Sequence, residues 1–75
     1  MFQVTILNPR QTIFDGEASS VFFRGNEGEF EVLEYHSPII SLLKDGDIII
    51  DGNKSITIAK GIMRMHQNKC VVLVE

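Results

Sequence analysis

Glu27, Glu29 and Glu31 stand at every second position, and Tyr35-His36-Ser37-Pro38 follows almost at once. Carboxylates so close to a histidine could do acid–base chemistry, hold a metal ion, or present charge to another protein. Catalysis is disfavoured by geometry. His36 and Ser37 are neighbours in an extended segment, so their side chains point to opposite faces and cannot pair. No GxSxG, phosphate-cradling glycine run or CxxC occurs. Cys70 sits beside Val71, Val72 and Leu73, which suits a buried strand position better than a reactive thiol.

Metal binding needs convergent ligands. His36, His66 and Glu29 could supply two histidines and a carboxylate in a cupin-like barrel, which makes a small metal-binding protein or enzyme the alternative function. Such barrels cluster their ligands tightly, whereas His66 lies in a turn segment beside Gln67 and Asn68. No metal or other cofactor is therefore expected. On a strand, the three glutamates would share one face at about 7 Å intervals. They form either a solvated face that protects a sheet edge, or an acidic contact for a basic partner loop.

The 75 residues make a single domain over 1–75, small enough that its core has little to spare. Hydrophobic content of 44% and charged content of 23% are those of a globular chain. The net charge of −3, with Lys and Arg scattered along the sequence, argues against nucleic acid. One cysteine excludes an internal disulfide and fits a reducing compartment. No apolar run approaches the roughly 20 residues of a membrane span, and MFQVTILNPRQ has no signal-peptide pattern. The default expectation is a bacterial cytoplasmic protein, or one docked on something cytoplasmic.

The elements that must position these residues are strands. Phe2, Val4 and Ile6 alternate with polar residues until Asn8-Pro9, a short TIF piece leads to Asp15-Gly16, and Val21 and Phe23 alternate until Gly25-Asn26. Asp51-Gly52-Asn53 joins Ile48–Ile50 to Ser55–Ala59 as a hairpin, and residues 66–69 join Ile62–Met65 to Cys70–Val74 as another. Only PIISLLK could form a turn of helix, and it is too short to stand alone. The expected fold is all-β: a small two-sheet β-sandwich, or flattened barrel, of about ten short strands. Several strands read as apolar on both faces. Phe22, Ile49, Val71 and Leu73 lie opposite core positions, and Met63 and Met65 suit a core or a contact surface. Loops or extra packing could cover such residues, or they mark a partner interface.

The order and spacing of several short elements resemble the N-terminal domain of the epsilon subunit of bacterial F-type ATP synthase. They are Asn8-Pro9 with Phe14-Asp15-Gly16, Glu27-Gly28-Glu29-Phe30, His36-Ser37-Pro38, Leu43-Lys44-Asp45-Gly46, Gly61, and Val71 to Val74. The resemblance covers nearly the whole chain. It implies a non-catalytic central-stalk (rotor) subunit, peripheral on the cytoplasmic face of the bacterial inner membrane. Such a subunit docks on the gamma subunit and on the polar loops of the membrane c-ring, coupling proton transport to ATP synthesis. Glu29 matches the position that touches the c-ring loop, and His36, with Ser37 beside it, matches the position facing gamma.

The chain also departs from the family pattern. Glu31-Val32-Leu33-Glu34-Tyr35 stands where the family has Gly-Ile-Leu-Pro-Gly, and Lys60-Gly61 where it often has Gly-Gly. Fewer glycines should stiffen the loop before His36 and alter its path. The family usually continues into a C-terminal helical hairpin that can inhibit ATP hydrolysis and in some members binds ATP. If Glu75 is the natural end, the resemblance implies a rotor component without that inhibitory arm.

Overall fold

In the computed structural model, which describes residues 1–75, nine strands and no helix are formed. They are β1 (Phe2–Leu7), β2 (Thr12–Ala18), β3 (Ser20–Gly25), β4 (Gly28–Leu33), β5 (Ile39–Leu43), β6 (Gly46–Ile50), β7 (Lys54–Ile58), β8 (Gly61–His66) and β9 (Lys69–Val74). Alternation decides the faces. In β1 every second residue, Phe2, Val4 and Ile6, is buried, and in β9 Cys70, Val72 and Val74 are buried while Val71 and Leu73 face out.

The strands run β2-β1-β9-β8-β5-β3-β6-β7, with β4 on the other side of β3. All pairs are antiparallel except β1 with β9, which run parallel. The path bends where β5 meets β3 through the single pair Gly25↔Leu43. Hydrogen bonds from the Lys44 N–H to the Arg24 carbonyl and from the Asn26 N–H to the Leu42 carbonyl, both 3.0 Å, hold that corner. A Cβ on Gly25 would stand only 3.0 Å from the Gly28 carbonyl oxygen and from the Phe30 ring, so the corner needs a residue without one. The bend folds a five-stranded layer (β2-β1-β9-β8-β5) over a four-stranded one (β4-β3-β6-β7), giving the expected sandwich from one curled sheet.

Sixteen apolar side chains fill the space between the layers, and no polar residue is buried. Met63 and Met65 are fully buried, so they are core residues rather than contacts. Phe23 and Phe30 stack with ring centroids 5.4 Å apart. Where β2 and β7 leave the sandwich open, the half-buried Phe14 packs against the core and the Lys54 ammonium lies 5.8 Å from its ring centroid.

Two expectations change. The stretch proposed as a turn of helix is strand β5, fixed in register with β8 from Ile39↔Met65 to Leu43↔Gly61. Asp15-Gly16 is not a break either. β2 runs through it, with Gly16 opposite Val4.

Candidate functional site

Glu27 sits in the Asn26-Glu27 turn that links β3 to β4, so only Glu29 and Glu31 share the outer face of β4. Glu29 stands opposite Arg24 on β3, and its carboxylate lies 3.6 Å from the Arg24 Nε. Arg24 lies across Gly46 of β6, where a Cβ would meet its Cδ at 2.5 Å and where φ is +140°. Beyond Gly46 is Asp47, which accepts a 2.7 Å hydrogen bond from the Thr57 hydroxyl. That bond first, then Ser55 and the Arg24 charge, hold the Asp47 carboxyl below the ordinary carboxylate range. Glu29 thus projects, exposed, from a polar cluster that is already paired within its own face.

His36 and Ser37 lie in the loop between β4 and β5, past the other end of β4. About 13 Å of strand separates Glu29 from Leu33, where that loop starts. His36 is half-buried and Ser37 exposed, and the His36 Nδ1 lies 2.7 Å from the Ser37 carbonyl oxygen. The loop is anchored at Asn68 of the β8–β9 turn. The Asn68 Oδ1 accepts from the Tyr35 N–H at 2.9 Å, and its Nδ2 donates to the Met1 carbonyl at 3.2 Å. The N-terminal ammonium pairs with Glu34. Tyr35 takes φ +60°, a left-handed conformation where a glycine would be unstrained, so here a tyrosine carries the bend and Asn68 holds it.

The cupin-like arrangement is not assembled. Glu29 lies near the start of β4 while His36 follows its far end, and nowhere do three His, Cys, Asp or Glu side chains converge as a metal would need. Cys70 is buried in β9, and burial pushes its thiol up to about 12, which keeps it protonated and unreactive.

The outer faces of β5, β8 and β9 hold what sequence reasoning only partly found. Val71 and Leu73 are exposed at 42% and 49%, and Ile40 and Leu42 more so, at 68% and 58%. Register lines them up: Leu42, Ile62 and Leu73 form one cross-strand row, and Ile40, Arg64 and Val71 the next. Phe22 and Ile49, on the other layer, are half-buried and paired with each other. The basic residues are not scattered in space. Lys44 and Lys60 lie at one end of the apolar rows, Lys69 at the other, and Arg64 between Ile40 and Val71, four of the seven Lys and Arg in the chain. Ile40 and Leu42 could have been found as a strand with aliphatic outer positions; the charge clustering depends on pairing register and leaves no local signal.

Residues 1–75 match the β-sandwich domain of the ATP synthase delta/epsilon chain. The ATP synthase epsilon chain of a Nitratiruptor species is 44% identical over 97% of this chain and 60% of its own length. That of Sulfurimonas denitrificans is 42% identical over 97% of this chain and 59% of its own. The chain therefore spans about three-fifths of these relatives. Among solved structures, a chain in the central stalk/c-ring structure of the Tetrahymena thermophila mitochondrial ATP synthase superposes with a TM-score of 0.77 at 19% identity, covering 96% of this chain and 61% of that one.

Proposed function

The chain belongs to the ATP synthase delta/epsilon β-sandwich family, and on that premise we propose that it is a non-catalytic central-stalk subunit. It docks on the gamma subunit and on the c-ring, and helps couple proton transport to ATP synthesis. In this role it is peripheral on the cytoplasmic face of the bacterial inner membrane. Glu29 meets a basic c-ring loop, and His36 with Ser37 faces gamma.

The full-length family match carries this proposal. Support for two separate contacts comes from the ends of β4, which present Glu29 at one side and the His36–Ser37 loop at the other. One rigid strand can then hold two partners at a fixed separation. Rotor coupling requires that kind of stiffness, because torque is lost in a compliant link. The bond from the Tyr35 N–H to Asn68 ties the residue before His36 to the β8–β9 turn.

Co-purification of this chain with its cognate gamma subunit, by size exclusion at micromolar concentration, tests the proposal. A stable one-to-one complex is expected, loosened by His36→Ala. Two separate peaks overturn the gamma contact, and unchanged binding of His36→Ala removes His36 from it.

A further inference from the structure

Three aspartates stand directly before glycines: Asp15-Gly16, Asp45-Gly46 and Asp51-Gly52. In such a pair the glycine nitrogen carries no side chain beside it and can turn toward the aspartate's Cγ. Attack there joins nitrogen to Cγ in a five-membered succinimide. A carboxyl oxygen leaves as water, taking the amide proton and one proton from solvent. Water then reopens the ring. Opening at the backbone carbonyl leaves the chain running through the side chain, as an isoaspartate, and returns the proton. One water leaves and one enters, so no oxidant, reductant or enzyme is needed. The three pairs are chemically alike, and the fold treats them differently.

Two of them are restrained. The Asp15 Oδ1 accepts from the Gln3 Nε2 at 2.6 Å and from the Thr5 hydroxyl at 3.3 Å, and Gly16 lies within β2, opposite Val4. The Asp51 Oδ1 accepts from the N–H groups of Ser19 at 2.7 Å and Ser20 at 3.1 Å. The Asp51 N–H donates in turn to the Ser20 carbonyl at 2.9 Å. That clasp ties the β6–β7 turn to the β2–β3 junction. Hydrogen bonds to an ionised carboxylate are strong ones, and each of these carboxylates must give up two before its carbon reaches the next nitrogen. Gly52 makes no backbone hydrogen bond, so the clasp on Asp51 is what protects that pair.

Asp45 has no such restraint. It is exposed in the two-residue connection between β5 and β6, and its carboxylate enters no hydrogen bond or ion pair. Gly46 opens β6, and its pairing with Ile58 is the last rung of the β6–β7 ladder, where pairing opens most easily. We infer that Asp45 is the modification site of this chain: isoaspartate forms between Asp45 and Gly46 ahead of the other two pairs. The change adds one atom to the backbone beside the corner that the Lys44 N–H holds through the Arg24 carbonyl at 3.0 Å. Gly46 has no room to move toward Arg24, since even a Cβ there would stand 2.5 Å from the Arg24 Cδ. Lengthening the chain at this point therefore pushes on Arg24 and on its 3.6 Å contact with Glu29.

The test is to age the chain for weeks at neutral pH, well below its unfolding temperature, and in parallel in concentrated urea. Isoaspartate has the mass of aspartate, so each site is read by electron-transfer fragmentation of the digested chain. In the folded chain, isoaspartate at Asp45 should exceed that at Asp15 and at Asp51 by at least about fivefold, the factor that one net hydrogen bond supplies. In urea, with the restraints gone, the three sites should agree within about twofold. Isoaspartate in the folded chain at Asp51 or Asp15 equal to that at Asp45 overturns the proposal. So does its absence from Asp45 in the folded chain while the urea sample accumulates it. Asp45→Glu keeps the charge and cannot close a five-membered ring. Its urea midpoint should hold through ageing while that of the unaltered chain falls, and an equal fall in both overturns the push on Arg24. Asp45 is exposed, so the variant should fold; should it not, the site map of the unaltered chain still decides.

Discussion

The two outward faces of the sandwich are built from the same alternation and finish differently. On the β3–β4–β6–β7 side, outward groups satisfy one another: Glu29 with Arg24, Thr57 with Asp47, Phe22 beside Ile49. On the β5–β8–β9 side, outward aliphatics and cations point into solvent, and apart from the Lys60–Glu75 pair those cations have no carboxylate partner. A small domain has little stability to spare, and five large aliphatics here stand in water without packing against the rest of residues 1–75. Outward residues on the first side answer one another, and those on the second find no answer within residues 1–75.

The comparison can be broken or sharpened by substitution. The largest effect is expected at Gly46, which gives Arg24 its space and holds φ at +140°. Gly46→Val should cost about 2 kcal/mol of stability in a urea titration; an unchanged midpoint would show that Arg24 moves aside freely. Tyr35 bends at φ +60° outside either face and is 80% exposed. Tyr35→Gly should therefore stabilise the chain by about 0.5–1 kcal/mol, measured the same way, and destabilisation would show that the ring has a packing role. Glu29→Arg puts like charges directly across β3 and β4. It should cost about 0.5 kcal/mol and weaken assembly on the c-ring, and unchanged coupling in reconstituted membranes would remove Glu29 from that contact.

Leu73→Ser is the sharpest comparison, because the side chain is half in solvent and stability should change by less than about 0.5 kcal/mol. A large loss of stability would make the apolar row part of the fold rather than of an interface. The smallest effect is protonic. Asp47 is held below 3.8, its ordinary value, by the Thr57 hydroxyl first. Because its folded value is lowered, the stability it adds is present above 3.8 and disappears as pH falls through the lowered value. In an NMR titration Thr57→Val should move Asp47 back toward the ordinary range, and no movement would assign the shift to Ser55 and Arg24 instead.

Much of this molecule was legible in the sequence because period-two alternation is a local signal. β1, β3 and the two hairpins from Ile48 to Val74 follow from it directly. The parts that resisted have physical reasons. β5 hid because its outward residues, Ile40 and Leu42, are aliphatic, while its inward-alternating positions include Ser41. The polar–apolar contrast that marks a strand is weakened there by the same residues that form the exposed apolar rows. β2 hid because Gly16 looks like a breaker, whereas in the sheet it pairs with Val4 and the Phe14 ring lies close beside it. Glu27 looked like part of a stripe and is a turn residue. The basic cluster was invisible because Lys44, Lys60, Arg64 and Lys69 are brought together by pairing register, which no window along the chain contains.

The parallel pair β1–β9 also sets the order in which the fold can be completed. β9 lies between β1 and β8 in the middle of the five-stranded layer, although it holds residues 69–74. Until those residues have left the ribosome, β1 and β8 each present a bare edge, and Val4 and Met63 have no Cys70 or Val72 between them. The contact joining the most distant parts of the chain is therefore central to the layer, so loop-closure entropy should slow the final step. Chains shortened to end before Lys69 are expected to show no protected amides in hydrogen exchange; protection in β1 would show that the layer can form without its centre. The domain assembles as a unit, with its earliest strand waiting for its latest.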